Sequence, residues 1–116
     1  MAPRIPDEFL DAMAEKFRLL GDTTRLAILR ALMEGEKSVG QVVEETGRGQ
    51  ANVSKHLKLL ADAGLVARRK EGLQVFYQVD DPVVEKLCGL VCDTIAQETF
   101  EGFEWRRKLL KKMGRT

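Results

Sequence analysis

The sequence predicts a mainly α-helical domain carrying one small β-hairpin, and three observations predict it. Val39, Val42 and Val43 recur at helical spacing and stop at Gly47, a residue suited to a left-handed helix end. A second periodic run begins at Gln50, with Val53, Leu57 and Leu60 at i, i+4 and i+7 and Gly64 as its stop. Leu65 to Lys70 and Leu73 to Val79 then alternate apolar and polar residues around Glu71-Gly72, the signature of a hairpin. Two helices joined by a short glycine-bearing turn form a helix-turn-helix, whose second helix can enter the DNA major groove. A basic hairpin behind it completes the plan of a winged helix.

Taken in order, Asp7 is placed to cap a first helix, with Phe9, Leu10, Met13, Phe17 and Leu20 as its apolar stripe and Gly21 as its end. That stripe is wider than one neighbour covers, so dimer contact stands beside ordinary core as its use. Asp22 is the next N-cap, followed by Leu26, Ile28, Leu29, Leu32 and Met33, with Gly35 as the stop. Arg25 lies inside this apolar segment and is expected to pair with a nearby acid rather than to touch phosphate. Ser38-Val39-Gly40-Gln41 matches the S-x-x-Q capping box, so Ser38 starts the third helix. On the next helix, about 100° per residue sets Ala51, Lys55, Lys58 and Asp62 opposite the apolar stripe, with Asn52 and Ser54 flanking them. Asp80-Asp81-Pro82 opens a long helix, with Pro82 near its first position and the acids at its positive end. Val84, Leu87, Cys88, Val91, Cys92 and Ile95 share one stripe of it.

At 116 residues the chain is one domain with room for a modest core. Its 44% apolar and 32% charged content is that of a globular protein. No apolar run approaches the roughly 20 residues of a membrane span, and the first six residues hold no signal-peptide apolar region. A cytoplasmic protein with no membrane partner is expected. Two cysteines four residues apart make no disulfide framework and read as reduced thiols. The net charge of +1 conceals an asymmetry. Between Arg48 and Val79 six basic residues face two acids, from Trp105 to Thr116 six basic residues face none, and the remainder is acidic. A basic patch beside a helix-turn-helix is the electrostatic footprint of phosphate binding. With a single histidine and no glycine-rich phosphate loop, the chain has no nucleophile–base set, and no enzyme is expected.

The candidate DNA-contacting residues are Arg48 in the turn, Gln50, Ala51, Asn52, Ser54, Lys55, His56 and Lys58 on the second helix, and Arg68, Arg69 and Lys70 in the wing. Gln50 and Asn52 can bond bidentately to adenine, Lys55 suits guanine or phosphate, and the Ala51 methyl can meet a thymine methyl. Wing cations need no special spacing to meet phosphates beside the minor groove. His56 sits at the edge of the buried face, where a half-buried imidazole or a phosphate contact outranks a catalytic or metal role.

Phe17-Arg18-Leu19-Leu20-Gly21-Asp22-Thr23-Thr24-Arg25-Leu26, then Gln50-Ala51-Asn52-Val53-Ser54-Lys55-His56-Leu57-Lys58-Leu59-Leu60 and Ala63-Gly64-Leu65-Val66, resemble the ArsR/SmtB family of bacterial repressors. The resemblance runs from about Phe9 to Glu98 in the right order and spacing. It implies a homodimeric winged-helix repressor of double-stranded operator DNA that leaves its operator when an inducer binds or a thiol reacts. On that plan 39–63 is the helix-turn-helix, 65–79 the wing, 82–99 the dimerisation helix, joined by the first helix, and 100–116 a basic C-terminal extension. The turn departs from the family, which usually has Gly-Leu-Ser-Gln-Ser where this chain reads Gly47-Arg48-Gly49-Gln50-Ala51. Gly49 in place of a serine N-cap costs only a few tenths of a kcal/mol. Metal sensors of the family often place cysteine at the position of Ser38, sometimes with another at Gly40, and neither residue here supplies a thiolate. Its zinc sensors carry D-x-H-x10-H-x2-E/H on the long helix. Counted from Asp81 those places hold Val83, Thr94 and Gln97, and from Asp80 they hold Pro82, Asp93 and Ala96, so that site is absent too.

Cys88 and Cys92 remain as the candidate metal- or thiol-sensing pair. At i, i+4 their Cβ atoms lie about 5–6 Å apart. That exceeds the roughly 3.5–4.5 Å of a disulfide, so they form no unstrained bridge. Two readings stand together. Two thiolates can grip one soft ion, or four can meet across a dimer axis, which makes a thiophilic metal or metalloid ion the one candidate cofactor. Alternatively both are small hydrophobes packed in the dimer seam. Farther on, Phe103, Trp105, Leu109, Leu110 and Met113 make a rough basic amphipathic helix able to pack, reach DNA or touch an anionic surface. Two other functions compete: a repressor with no metal or thiol sensing, controlled by a small molecule or by abundance, and a winged-helix protein-interaction module. The second sits poorly with the polar and basic residues kept at Gln50, Asn52, Ser54 and Lys55.

Overall fold

The computed structural model describes residues 3–112 and Gly114, the side chains of Phe100, Phe103, Trp105, Arg106 and Leu109 excepted. The elements run α1 (Asp7–Leu20), α2 (Thr23–Met33), β1 (Lys37–Ser38), α3 (Val39–Thr46), α4 (Gln50–Asp62), β2 (Val66–Glu71), β3 (Gln74–Val79) and α5 (Pro82–Lys112). This is a winged helix-turn-helix. The chain divides into two compact units, Met1–Asp81 and Pro82–Thr116.

Local chemistry sets the helix ends of the first unit. The Asp22 carboxylate accepts the Arg25 backbone N–H at 3.0 Å and starts α2. Ser38 and Gln41 form the reciprocal capping box of α3, with Ser38 N–H donating to Gln41 Oε1 at 2.8 Å and Gln41 N–H donating to Ser38 Oγ at 3.2 Å. Gly47 ends α3 at φ 69°, where a side chain would be strained. At the end of α4, Leu65 N–H reaches Leu60 O and Gly64 N–H reaches Ala61 O, both at 3.0 Å, a Schellman closure. The chain is thereby turned directly from α4 into the sheet. Ile28 and Leu29 of α2, Val42 of α3, and Val53, Leu57 and Leu60 of α4 have no exposed surface. They are the core that orients α4.

Several sequence expectations are revised. Asp7 is the first residue of α1 rather than its cap; Pro6 holds the cap position without a side-chain bond, and Asp7 and Glu8 act through the helix dipole. Phe9 (57% exposed), Leu10 and Phe17 lie open, whereas the buried residue of α1 is Leu19, outside the expected stripe. Leu26 is also exposed. The hairpin is part of a three-stranded antiparallel sheet of order β1-β3-β2, because Lys37 and Ser38 pair with Tyr77 and Phe76. Lys37 secures that short strand by donating to Ala31 O and Glu45 Oε2, both at 2.8 Å. The turn falls at Gly72-Leu73, one residue later than expected, since Glu71 pairs with Gln74. Gly72 supplies the positive φ of 61° at the first loop position.

In the second unit α5 runs 31 residues without a break at 99, about 46 Å at 1.5 Å per residue. The basic extension over 100–116 is thus largely a continuation of that helix. The expected apolar roles of Phe103, Trp105, Leu109 and Met113 lie outside the described side chains. Among the described residues, no helix is long and apolar enough to cross a membrane.

Replacing Ser38 with alanine removes half of the capping box and is expected to cost about 1 kcal/mol. Leu57→Ala, at a site with no exposed surface, is expected to cost about 2–5 kcal/mol. Urea midpoints measure both. An unshifted midpoint for Ser38→Ala would show that the box is not formed in solution.

Candidate nucleic-acid interface

The stripe that buries Val53, Leu57 and Leu60 forces the other side of α4 outward. Gln50, Ala51, Asn52, Ser54, Lys55 and Lys58 are all exposed, on a helix whose own packing is complete without them. Lys58 pairs at i, i+4 with Asp62 at 3.4 Å, both side chains well solvated. The two edges of this face meet different neighbours. On one, the Arg25 guanidinium approaches His56 Nδ1 at 3.3 Å. Arginine only donates, so Nδ1 accepts and the imidazole proton sits on Nε2. On the other edge, Ser54 and Lys58 border a pocket shared with Arg68 and Tyr77.

The sequence suggested an acid as the partner of Arg25; among the described residues its guanidinium makes no ion pair with one. It is buried, and its Nε donates to Leu19 O at 2.7 Å and its Nη2 to Arg18 O at 3.1 Å. These carbonyls end α1, where the helix dipole is negative and a cation is favoured. Arg48 is half-buried and folded back, with Nε on Thr24 Oγ1 at 3.3 Å and Nη1 on Thr46 O at 3.4 Å. Its charge therefore sits at the turn, tied to α2 and α3.

Strand parity separates the wing cations. Arg68 pairs with Tyr77 and Arg69 with Phe76, so the two arginines leave opposite faces of the sheet. Arg68 and Lys70 share the α4 side and are exposed. Arg69 is committed elsewhere. Its Nε and Nη2 donate to Glu36 at 3.0 and 2.8 Å, its Nη1 to Glu71 at 2.6 Å, and its guanidinium lies 4.9 Å from the Phe76 ring centroid. The hydrogen bond from Arg69 holds the Glu36 carboxyl below its usual pKa, and the two acids raise that of Arg69. Arg69, with 48% of its side chain exposed, thus also braces the root of the wing. At the tip, Leu73 is fully solvated. Tyr77, Glu36 and Leu73 were not singled out from sequence; strand parity, read with the correct turn, was the available signal.

On α5, Cys88 is half-buried and Cys92 exposed. Burial pushes the Cys88 thiol up, lowering its population of thiolate, the form that binds metal. Among the described residues, no three His, Cys, Asp or Glu side chains gather as a metal site. What the described residues offer at this place is two free thiols, Cys88 and Cys92.

A solvated polar helix face backed by a winged β-hairpin defines the class: a winged helix-turn-helix regulator. The model of the family described as bacterial regulatory protein, arsR family, matches residues 22–68. The probable mercury resistance operon repressor of Streptomyces lividans is 40% identical over 83 residues, 72% of this chain and 66% of that protein. The HTH-type transcriptional regulator KmtR of Mycobacterium tuberculosis is 36% identical over 83 residues, covering 72% and 64%. This chain thus spans just under two thirds of the length of those two relatives. The HTH-type transcriptional regulator CmtR of Mycobacterium bovis is 39% identical over 89 residues, 76% of this chain and 75% of that one. Among solved structures, the AntR antimony-specific transcriptional repressor superposes with TM-score 0.77 at 25% identity, covering 84% and 89% of the two chains. The homodimeric winged helix-turn-helix DNA-binding domain Mb0332 of Mycobacterium bovis gives TM-score 0.68 at 32% identity, covering 84% and 92%. The chain belongs to the arsR family of bacterial regulatory proteins.

The Arg69–Glu36 bridge carries a pH signature. A carboxyl whose folded pKa is depressed stabilises above its unfolded value, here 4.5, and loses that contribution as pH falls through the folded one. Amide shifts of wing residues 66–71 are therefore expected to titrate below about pH 4.5. In Glu36→Gln that titration should be reduced, most at Arg69; an unchanged profile would place the acid-sensitive group elsewhere.

Proposed function

We propose that the protein is a homodimeric transcriptional repressor that binds double-stranded operator DNA and is released by a thiophilic metal or metalloid ion, or a thiol-reactive signal, at Cys88 and Cys92. The observation that carries DNA binding is the outward face of α4. Its exposed polar and basic side chains have no packing duty, while the inner face is fully buried. Gln50, Asn52 and Lys55 have the donors and acceptors to read base edges, Ala51 a methyl for thymine, and Ser54, Lys58, Arg68 and Lys70 suit phosphates. Arg48 adds charge at the turn, and His56 reaches the backbone through Nε2.

The dimer is supported by apolar surface within each unit. Phe9, Leu10 and Phe17 of α1 and Leu90, Val91 and Ile95 of α5 are each half exposed or more. Exposed faces of this kind mark protein interfaces, and the Mb0332 domain is homodimeric. The inducer class is supported by soft sulfur ligands and by two relatives named for mercury resistance and for antimony. A partner's α5 would supply the thiols that one chain lacks. A ligand-driven rotation at the dimer seam is enough to release DNA, because half-sites are spaced at about 34 Å and both recognition helices have to dock together. Coupling of about 1–3 kcal/mol lowers affinity roughly 5- to 150-fold.

Sedimentation at micromolar concentration is expected to give a dimer, and a species of 13.0 kDa would defeat that assignment. In selected-site binding, Gln50→Ala and Asn52→Ala should each cost about 1–3 kcal/mol at particular base pairs and little at others. Uniform losses across sequences would mean these residues touch backbone. The double variant Cys88→Ser, Cys92→Ser should bind operator like the parent and ignore arsenite, cadmium and copper(I). If it still responds, the cysteines are packing residues and the trigger lies elsewhere.

A further inference from the structure

Between the recognition helix and the wing lies a pocket of about 360 Å³. Ser54, Lys58, Ala61 and Asp62 of α4 form one wall, and Arg68 and Tyr77 of the sheet form the other. Arg68 and Tyr77 are cross-strand partners, so both side chains stand on the same face of the ribbon. Tyr77 is only 8% exposed, and its side chain lines the pocket beside Arg68. Its ring is largely buried, and its phenol O–H is a donor that a ligand in the pocket can use. Lys58 and Arg68 supply two cations, and the single acid, Asp62, holds Lys58 at 3.4 Å.

We propose that this pocket seats one phosphate of the DNA strand running between the two grooves the protein occupies. Lys58 and Arg68 supply counter-charge, Ser54 and Tyr77 donate hydrogen bonds, and Asp62 competes with the phosphate for Lys58. The proposal rests on the reading that α4 enters the major groove. Adjacent major and minor grooves share one sugar–phosphate strand as their common wall. A body that puts a helix in one groove and a hairpin in the next has to straddle that strand, and the space between α4 and β2 is where it passes. A phosphate held from both sides fixes the register of the helix along the groove without carrying sequence information. The two cations come from different elements, α4 and β2, so a phosphate between them is held by both walls. Asp62 lowers affinity for every sequence equally, which keeps phosphate contact from outweighing base contact.

The same chemistry would take a free phosphate, and the test separates the two sources. Binding of fluorescent duplexes, one from a selected operator and one unrelated, is measured across salt for the parent and for Arg68→Ala, Tyr77→Phe, Asp62→Asn and Lys58→Ala/Asp62→Asn. Arg68→Ala should weaken both duplexes alike and reduce the salt slope by about one. Tyr77→Phe, which keeps the ring and its packing, should weaken both by about 2- to 10-fold, as loss of one hydrogen bond does. Asp62→Asn should strengthen both by about 2- to 5-fold, the range of an exposed ion pair, and the gain should vanish when Lys58 is also replaced. Parent-like binding by Arg68→Ala and Tyr77→Phe overturns the seat alone. So does an Asp62→Asn gain that survives without Lys58. Inorganic phosphate saturating pocket resonances of the DNA-free parent at low millimolar concentration, with the variants still binding DNA normally, assigns the pocket to a free anion instead. A parent that binds neither duplex at low salt removes the DNA reading and the seat with it.

Discussion

The constraint on which this structure rests is that α4 has to be buried on one side to be useful on the other. Val53, Leu57 and Leu60 carry no exposed surface, and burying each contributes about 1.5–3 kcal/mol. Those contacts with the interior fix the position of the helix. Gln50, Asn52 and Lys55 are left with no structural duty, so their side chains are free for chemistry. The ends matter as much as the face. Gly49 begins the helix in extended backbone, and the Schellman closure at Gly64 delivers the chain into β2. The wing is thereby held beside the helix it serves.

A second tie is polar. Arg25 is the one charged residue buried among the described positions, and an unpartnered buried charge is costly. Carbonyls of Arg18 and Leu19 in the last turn of α1 offset that cost, Arg18 O also accepting the Gly21 N–H. A further donor, on Nη1, meets His56 on α4. One side chain thus links the last turn of α1, a helix with exposed apolar residues, to α4.

In the wing, parity allots the charges. Arg68 and Arg69 are adjacent in sequence and equivalent in composition, yet one borders the pocket beside α4 and the other is bound to Glu36 and Glu71. The basic character of the segment therefore overstates the charge it can offer a phosphate. The same alternation brings Tyr77 into the pocket, because its partner across the ladder is Arg68.

What the sequence by itself determined is the run of helices and their punctuation. The caps at Asp22 and Ser38, the stops at Gly47 and Gly64, and the two faces of α4 were all legible there. A helix closes its hydrogen bonds within four residues, so the pattern that specifies it is written locally. The family was legible for the same reason, since its motifs lie on those helices and turns. Only the tertiary structure decided the partners of Arg25, the allegiance of Arg69, the third strand at Lys37–Ser38 and the place of Tyr77. Arg69 meets Glu36 across 33 positions and Arg25 meets His56 across 31. No local periodicity encodes such pairs; they follow from how the elements pack, and a one-residue shift of the wing turn is enough to change what a strand offers to each side.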